Sequence, residues 1–307
     1  METMSDTTGS STRVAGHGVL VEPEWLEAHL HDPGLRVVEV DVSPAAYEDG
    51  HIDGSVLWNI YGDLKDRDYR LVDTETLESL FRRSGITPET TVVFYGYGPA
   101  FAFWLMNLYG HAGARILNCS RETWKAAGHP WAKNAPSPAQ SHYLLGPPDP
   151  RVRADRGEVQ ASIERPSSLL LDVRSTAEYQ GERFWPSGGM DPDGRAGHIP
   201  SAIHHPVDGI HNPDGSFLLA ADLRRHYKSV DADGYDDVIT YCTIGGRAAT
   251  AWFVLTQLLG QTNVRVYDGS WAEWGRLPHT PVEAPSLQPC THSHSHNTRS
   301  DNACTDS

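Results

Sequence analysis

A set of short landmarks occurs twice in this chain, in the same order, and that duplication restricts the fold more than any other feature. Arg36-Val37-Val38-Glu39-Val40-Asp41-Val42, Ala46-Tyr47 and Gly50-His51-Ile52 return as Leu169-Leu170-Leu171-Asp172-Val173-Arg174, Glu178-Tyr179 and Gly197-His198-Ile199. Thr91-Val92-Val93-Phe94-Tyr95 answers to Val238-Ile239-Thr240-Tyr241. Ile116-Leu117-Asn118 with Trp124 answers to Val266-Tyr267-Asp268 with Trp274. Ordered self-similarity of this kind marks one folding unit used twice. Inside each copy, β-branched runs alternate with stretches of helical character, at 74–83, 101–109 and 248–259. Such alternation predicts an α/β fold of two similar domains, each a parallel sheet flanked by helices on both faces.

The boundaries follow from composition. The 307 residues suit two domains of ordinary size. Residues 1–18 are rich in Ser, Thr and Gly and lack the apolar body of a secretory signal, so they read as a disordered leader. The first domain is expected at 19–132. A proline-rich linker follows at 133–150, with Pro136, Pro138, Pro147, Pro148 and Pro150. The second domain is expected at 151–282, with a Gly- and Pro-rich surface insertion at 184–195. A polar, histidine-containing tail closes the chain at 283–307.

Net charge is −15 with histidines neutral. This argues against binding nucleic acid, which rests on basic patches, and any anionic substrate then needs arginines of its own. No apolar run is long enough to span a membrane. The four cysteines, Cys119, Cys242, Cys290 and Cys304, form no C-x-x-C pair. Together with the missing signal this points to a reducing cytoplasm. The chain is expected to be a monomer, with no cofactor and no metal. The tail run Cys290-Thr291-His292-Ser293-His294-Ser295-His296 has ligands of the kind that catch zinc, nickel or copper, but reads first as a solvated tail.

The chemistry concentrates at Val238-Ile239-Thr240-Tyr241-Cys242-Thr243-Ile244-Gly245-Gly246-Arg247-Ala248-Ala249. An apolar strand runs into a cysteine, two glycines and an arginine follow, and a helix begins. That order places Cys242 at the carboxyl end of a strand, where open α/β sheets form their sites, and ahead of a helix N-terminus, which favours an anion. A thiolate so placed is a nucleophile. The amides of Thr243, Ile244, Gly245, Gly246 and Arg247 are expected to curl around the sulfur. Gly245 and Gly246 permit the turn. Arg247 adds charge, and the Thr243 hydroxyl is available to bond a substrate. His51 and His198 recur in both halves, which favours a structural turn. Asp41 and Asp172 are expected to hold local backbone, and Cys119 to be a packed small residue.

Four motifs in order carry a resemblance: Asp172 to Arg174, the Gly-His-Ile-Pro at 197–200, the Cys242–Arg247 loop, and the closing Tyr-Asp-Gly-Ser-Trp-x-Glu-Trp at 267–274. On them the chain resembles the tandem-domain rhodanese-type sulfurtransferases, which include thiosulfate and 3-mercaptopyruvate sulfurtransferases, from about residue 19 to 282. As in that family, the first-half counterpart of the loop, Tyr95-Gly96-Tyr97-Gly98-Pro99, has no cysteine. The resemblance implies a site in the cleft between two parallel-sheet domains. It also implies a ping-pong transfer in which Cys242 takes the outer sulfur of an anionic donor as a persulfide and yields it to cyanide or a thiol. It assigns donor binding to Arg174, with Arg247 as the second candidate and His51 as a first-domain contributor. The loop has neither the basic residues that follow the cysteine in animal thiosulfate enzymes nor the Gly-Ser-Gly of mercaptopyruvate enzymes. Thiosulfate is favoured because Arg247 offers a second charge, with 3-mercaptopyruvate the other donor. Two other readings compete. One is a rhodanese-fold cysteine phosphatase or arsenate reductase, though only the four residues 243–246 separate Cys242 from Arg247, a short loop for a phosphate. The other is a non-catalytic persulfide-binding protein.

Overall fold

The computed structural model describes residues 18–230 and 232–284. The first unit runs β1 (Leu20–Val21), α1 (Pro23–His29), β2 (Leu35–Asp41), α2 (Ala45–Asp49), β3 (His51–Ile52), β4 (Val56–Asn59), α3 (Thr74–Arg83), β5 (Thr91–Gly96), α4 (Pro99–Leu108), β6 (Ala114–Leu117), α5 (Arg121–Ala126) and β7 (Trp131–Ala132). The second runs α6 (Arg156–Ser162), β8 (Ser168–Asp172), α7 (Thr176–Tyr179), β9 (Ile203–His204), α8 (Ala220–His226), β10 (Asp237–Tyr241), α9 (Gly246–Phe253), β11 (Val264–Val266) and α10 (Ser270–Trp274).

Each unit is built on a parallel sheet. The first has the order β1-β6-β5-β2-β4 and the second β11-β10-β8-β9. A lone parallel bridge from Arg153 to Val266 stands beside β11 as β1 stands beside β6. The central strands β2, β5, β8 and β10 are almost wholly buried, as strands covered on both faces must be.

Twin contacts confirm that the units are copies. Tyr95 Oη accepts the Ile52 N–H, and Tyr241 Oη accepts the Ile199 N–H. Trp124 Nε1 donates to Pro130 O, and Trp274 Nε1 to Pro281 O. The pairing also corrects one equivalence. Tyr241 lies opposite Asp172 and Tyr95 opposite Glu39, so the counterpart of Asp172 is Glu39, not Asp41. By the same register Gly96 occupies the place of Cys242.

The units share a core. Helix α4 is apolar all round, which suits only a helix covered on every side. It lies between its own sheet and α9, with the Phe103 ring 4.9 Å from Phe253 in an edge contact. Residues 133–150 form no regular element. They run along the first unit, with Tyr143 buried and hydrogen-bonded to His111, and the Leu145 N–H on Glu78. The 184–195 insertion is anchored at both ends. Phe184 is fully buried, and the Arg195 guanidinium donates to the carbonyls of Trp274, Gly275, Leu277 and Thr280.

Candidate active site

Strand β10 stops at Tyr241 and α9 starts at Gly246, so the intervening loop carries Cys242 to the carboxyl end of the second sheet. The loop's orientation is set from behind. The carbonyls of Cys242 and Thr243 accept the N–H groups of Trp271 (3.0 Å) and Ala272 (2.8 Å) from the first turn of α10. The Cys242 N–H donates to Ser270 Oγ at 3.1 Å, and Ser270 Oγ donates on to Tyr267 O. Ser270 holds a left-handed backbone with φ 53°, a conformation that costs a residue other than glycine about 1–3 kcal/mol. Its counterpart Ser120 keeps an ordinary extended backbone at the head of α5. The strain therefore falls only on the half that carries the thiol.

Cys242 is 1% exposed, at the floor of the site. The Gly245 N–H points at its sulfur at 3.1 Å. That is one amide on the sulfur, not the expected ring of five. The first α9 bond is Ala249 N–H to Gly245 C=O. The amides of Gly246, Arg247 and Ala248 precede it and have no acceptor within the helix.

The two glycines differ. Gly245 has φ 96°, and a Cβ there would come within 2.8 Å of Asp268 O and 3.2 Å of Phe101 Cε2. Gly246 has no positive φ, and a Cβ there would meet nothing within 4 Å. Only Gly245 is required by the turn. Ile244 packs on the shared core.

Arg247 does not face an open cleft. Its guanidinium clasps Glu178 with two bonds, Nη1 to Oε2 at 2.9 Å and Nη2 to Oε1 at 2.7 Å, and donates to Thr243 Oγ1 at 2.7 Å. The Thr243 hydroxyl donates to Glu178 Oε1 at 2.5 Å, so it is committed as well. Burial disfavours the Glu178 carboxylate, but the Arg247 pair and the Thr243 and Ser175 hydroxyls prevail and hold it down at about 2. Burial likewise works against the Arg247 cation, and the bonds to Glu178 with the nearby Cys242 charge raise it nonetheless.

Two assigned donor-binding residues belong elsewhere. Arg174 is fully buried in the second unit. Its Nη2 sits 2.6 Å from Asp172 Oδ2 and 2.9 Å from Gly197 O, and its guanidinium lies 4.6 Å above the Trp271 ring. Its charge is matched by Asp172, and its Nη1 has no hydrogen-bond partner but is closed off from solvent. In the first unit the buried Glu39 has its own arginine, Arg121, at 3.5 Å. His51 is also fully buried. It stacks on Tyr47 at 3.8 Å, with Nδ1 against Tyr47 O and Nε2 against Asn134 O. His198 repeats this on Tyr179 at 3.7 Å. Asp41 and Asp172 bond the amides just after them, and burial pushes the Cys119 thiol up to about 12. Among the described residues no cluster of His, Cys, Asp and Glu could hold a metal. The Cys290–His296 run and Cys304 lie outside them.

Sequence reasoning missed Glu178, Ser270 and Lys65. Glu178 had a signal: Tyr47 and Tyr179 correspond, so Glu178 stands opposite Ala46, a carboxylate present only in the half with the thiol. Lys65 reaches in from the first unit, buried, with Nζ 2.8 Å from Asp268 O. Tyr61 and Tyr97, also from the first unit, are 45% and 64% exposed; Tyr61 lies near enough to sense Cys242, and Tyr97 near enough to sense Arg247. Burial raises the Tyr61 phenol, and the charges of Tyr69, Tyr97 and Cys242 raise it further.

The chain is similar to known proteins. The profile of the Rhodanese-like domain matches residues 22–127 and 155–277. A protein of Saccharopolyspora erythraea, provisionally named a thiosulfate sulfurtransferase, is 38% identical over 276 residues, 88% of this chain and 98% of its own. A Thermus thermophilus protein named as the sulfur carrier protein TtuD is 38% identical over 275 residues, 86% of this chain and 96% of its own. Among solved structures, the anaerobic ergothioneine biosynthesis enzyme of Chlorobium limicola, in complex with trimethyl histidine, superposes with a TM-score of 0.78. It is 25% identical, and the match covers 89% of this chain and 72% of that one.

Proposed function

From the premise that the chain belongs to the rhodanese-like family and is a sulfurtransferase, we propose that it moves a sulfane sulfur from thiosulfate to a thiophilic acceptor through a persulfide on Cys242. The observation that carries this reading is the Gly245 N–H aimed at the Cys242 sulfur, at the head of a helix whose next three amides have no helical acceptor. The Cys242 thiolate attacks the outer sulfur of thiosulfate. The sulfur–sulfur bond of the donor breaks, sulfite leaves with the bonding pair, and Cys242 becomes a persulfide anion. Cyanide or a thiolate then attacks the terminal sulfur. The thiolate leaves with the bonding pair and is restored. One added sulfur atom extends the anion beyond Gly245 toward the amides of Gly246 to Ala248, which stabilise it without moving.

Thiosulfate is preferred on the names of the curated relatives. The spare charge expected of Arg247 does not support it, because that charge is matched by Glu178. The same pairing weighs against phosphatase chemistry, which needs the loop arginine for its own anion. Open space before Gly246 is the room a small donor requires.

Steady-state thiocyanate formation tests the reading. Thiosulfate with cyanide should give parallel double-reciprocal plots, the pattern of an enzyme that alternates between two covalent forms, and a larger kcat/KM than 3-mercaptopyruvate. Intersecting plots, or turnover that survives in Cys242→Ser, would remove the persulfide from the pathway.

A further inference from the structure

We propose that Lys65, contributed by the first unit, is the positioning cation of the reacting thiol: its ammonium supplies the excess positive charge that keeps Cys242 anionic, as thiolate and then as persulfide. The proposal rests on the sulfur-transfer reading above. The chemistry thus depends on a group that the second unit does not contain.

Position comes first. The Lys65 side chain is fully buried. Nζ donates to Asp268 O at 2.8 Å, lies 3.4 Å from Asp268 Oδ2 and sits 4.8 Å above the Phe101 ring. Asp268 O and Phe101 are also the groups that a Cβ on Gly245 would strike. The ammonium and the residue whose amide bonds the sulfur therefore share two neighbours, the Asp268 carbonyl and the Phe101 ring.

Charge comes second. Arg247 is matched by Glu178 and Arg174 by Asp172. Asp268, by contrast, is shared: Lys65 holds one oxygen, and Arg153 Nε holds the other at 2.7 Å. Two cations on one buried carboxylate leave a positive charge over, shared between the buried Lys65 and the partly exposed Arg153. Burial holds the Lys65 ammonium below the usual lysine range, against the charges of Asp268 and Cys242, which favour it. The other groups that sense the Cys242 charge are Arg247 from α9 and Tyr61 from the first unit. Behind them stand Glu178 on Arg247, and Asp268 and Arg153 on Lys65.

The duplication supplies a control. A two-point hairpin joins Lys65 to Leu71, and its twin joins His211 to Phe217. The Leu71 N–H donates to Asp268 Oδ2, and the Phe217 N–H donates to Asn118 Oδ1. The copy that faces the unit without a cysteine thus has an imidazole and a neutral amide where the thiol-facing copy has an ammonium and a carboxylate.

The test uses the full chain with K65M, K65Q, K65R and H211Q. Alkylation of Cys242 by iodoacetamide is followed against pH by peptide mass spectrometry, alongside kcat and KM for thiosulfate and thermal unfolding. K65M should move the alkylation midpoint up by about one pH unit and lower kcat about tenfold near neutrality, with KM little changed. K65R and H211Q should retain the wild-type midpoint. K65Q keeps a hydrogen-bond donor for Asp268 O and carries the same expectation should K65M not fold. A folded neutral variant whose profile superimposes on wild type overturns the proposal. So does failure of both neutral variants to fold while K65R folds, since Lys65 would then be structural. A shifted midpoint in a protein whose Cys242 never gains sulfur would instead fail the sulfur-transfer reading alone.

Discussion

The two halves place the same strand, turn and helix at the end of the same sheet, and only one of them holds a thiol. In the first, Tyr95 is followed by Gly96 with φ 102°, hard against Val40 O, and then by the exposed Tyr97. In the second, Tyr241 is followed by Cys242, and the positive φ moves three residues on, to Gly245. Around that shift three side chains and one backbone differ. Glu178 replaces Ala46, Asp268 replaces Asn118, Lys65 stands where its twin is His211, and Ser270 accepts a strained backbone that Ser120 avoids. The half with the thiol thus adds a small set of charges and one bent loop to a fold that the other half builds without them.

The comparison breaks most sharply at the thiol. Cys242→Ser should abolish thiocyanate formation and leave the protein folded, within about 1.5 kcal/mol of wild type in thermal unfolding, since the volume is nearly conserved. Next comes Arg174. Its removal leaves Asp172 as an unpaired buried charge, so Arg174→Ala should destabilise the second unit by about 3–5 kcal/mol in urea unfolding. Where the variant is still folded, the thiosulfate KM should be unchanged; a raised KM at full stability would return Arg174 to the donor site.

A smaller effect separates the glycines. Gly245→Ala imposes a left-handed φ and a contact with Asp268 O, so it should cost about 1–3 kcal/mol and most of the activity. Gly246→Ala adds a methyl in open space and should be within about 1 kcal/mol of wild type in stability. It should still raise KM if that space receives the donor. Equal stability of the two variants would contradict the loop geometry.

A further effect is in acid. Glu178 is depressed from 4.5 to about 2. Its stabilisation is therefore complete above its unfolded value and is lost as pH falls through about 2. Between pH 5 and 2, Glu178→Gln should lose less stability than wild type in urea titrations; parallel losses would remove the pair from the acid response.

What the sequence made legible follows the range of the interactions. The duplicated sheet was legible because strand periodicity and turn glycines are local. Cys242 was legible because a strand, a thiol and a helix start are contiguous. Arg174 was misplaced for a reason internal to the strand. Residues two apart point to one face, so Asp172 and Arg174 meet each other before either meets the cleft. Arg247 was counted as free because its partner, Glu178, belongs to another element. Lys65 left no local trace, since its meaning depends on Asp268 in the other half of the chain. His51 looked functional in isolation and structural once its twin His198 was set beside it.

The account's central claim concerns one sulfur atom. Wild-type protein incubated with thiosulfate, digested without reductant and weighed peptide by peptide, should carry one additional sulfur on the Cys242 peptide and none on the Cys119 peptide, and cyanide should remove it. A Cys242 peptide of unchanged mass from protein that still turns over thiosulfate would contradict it.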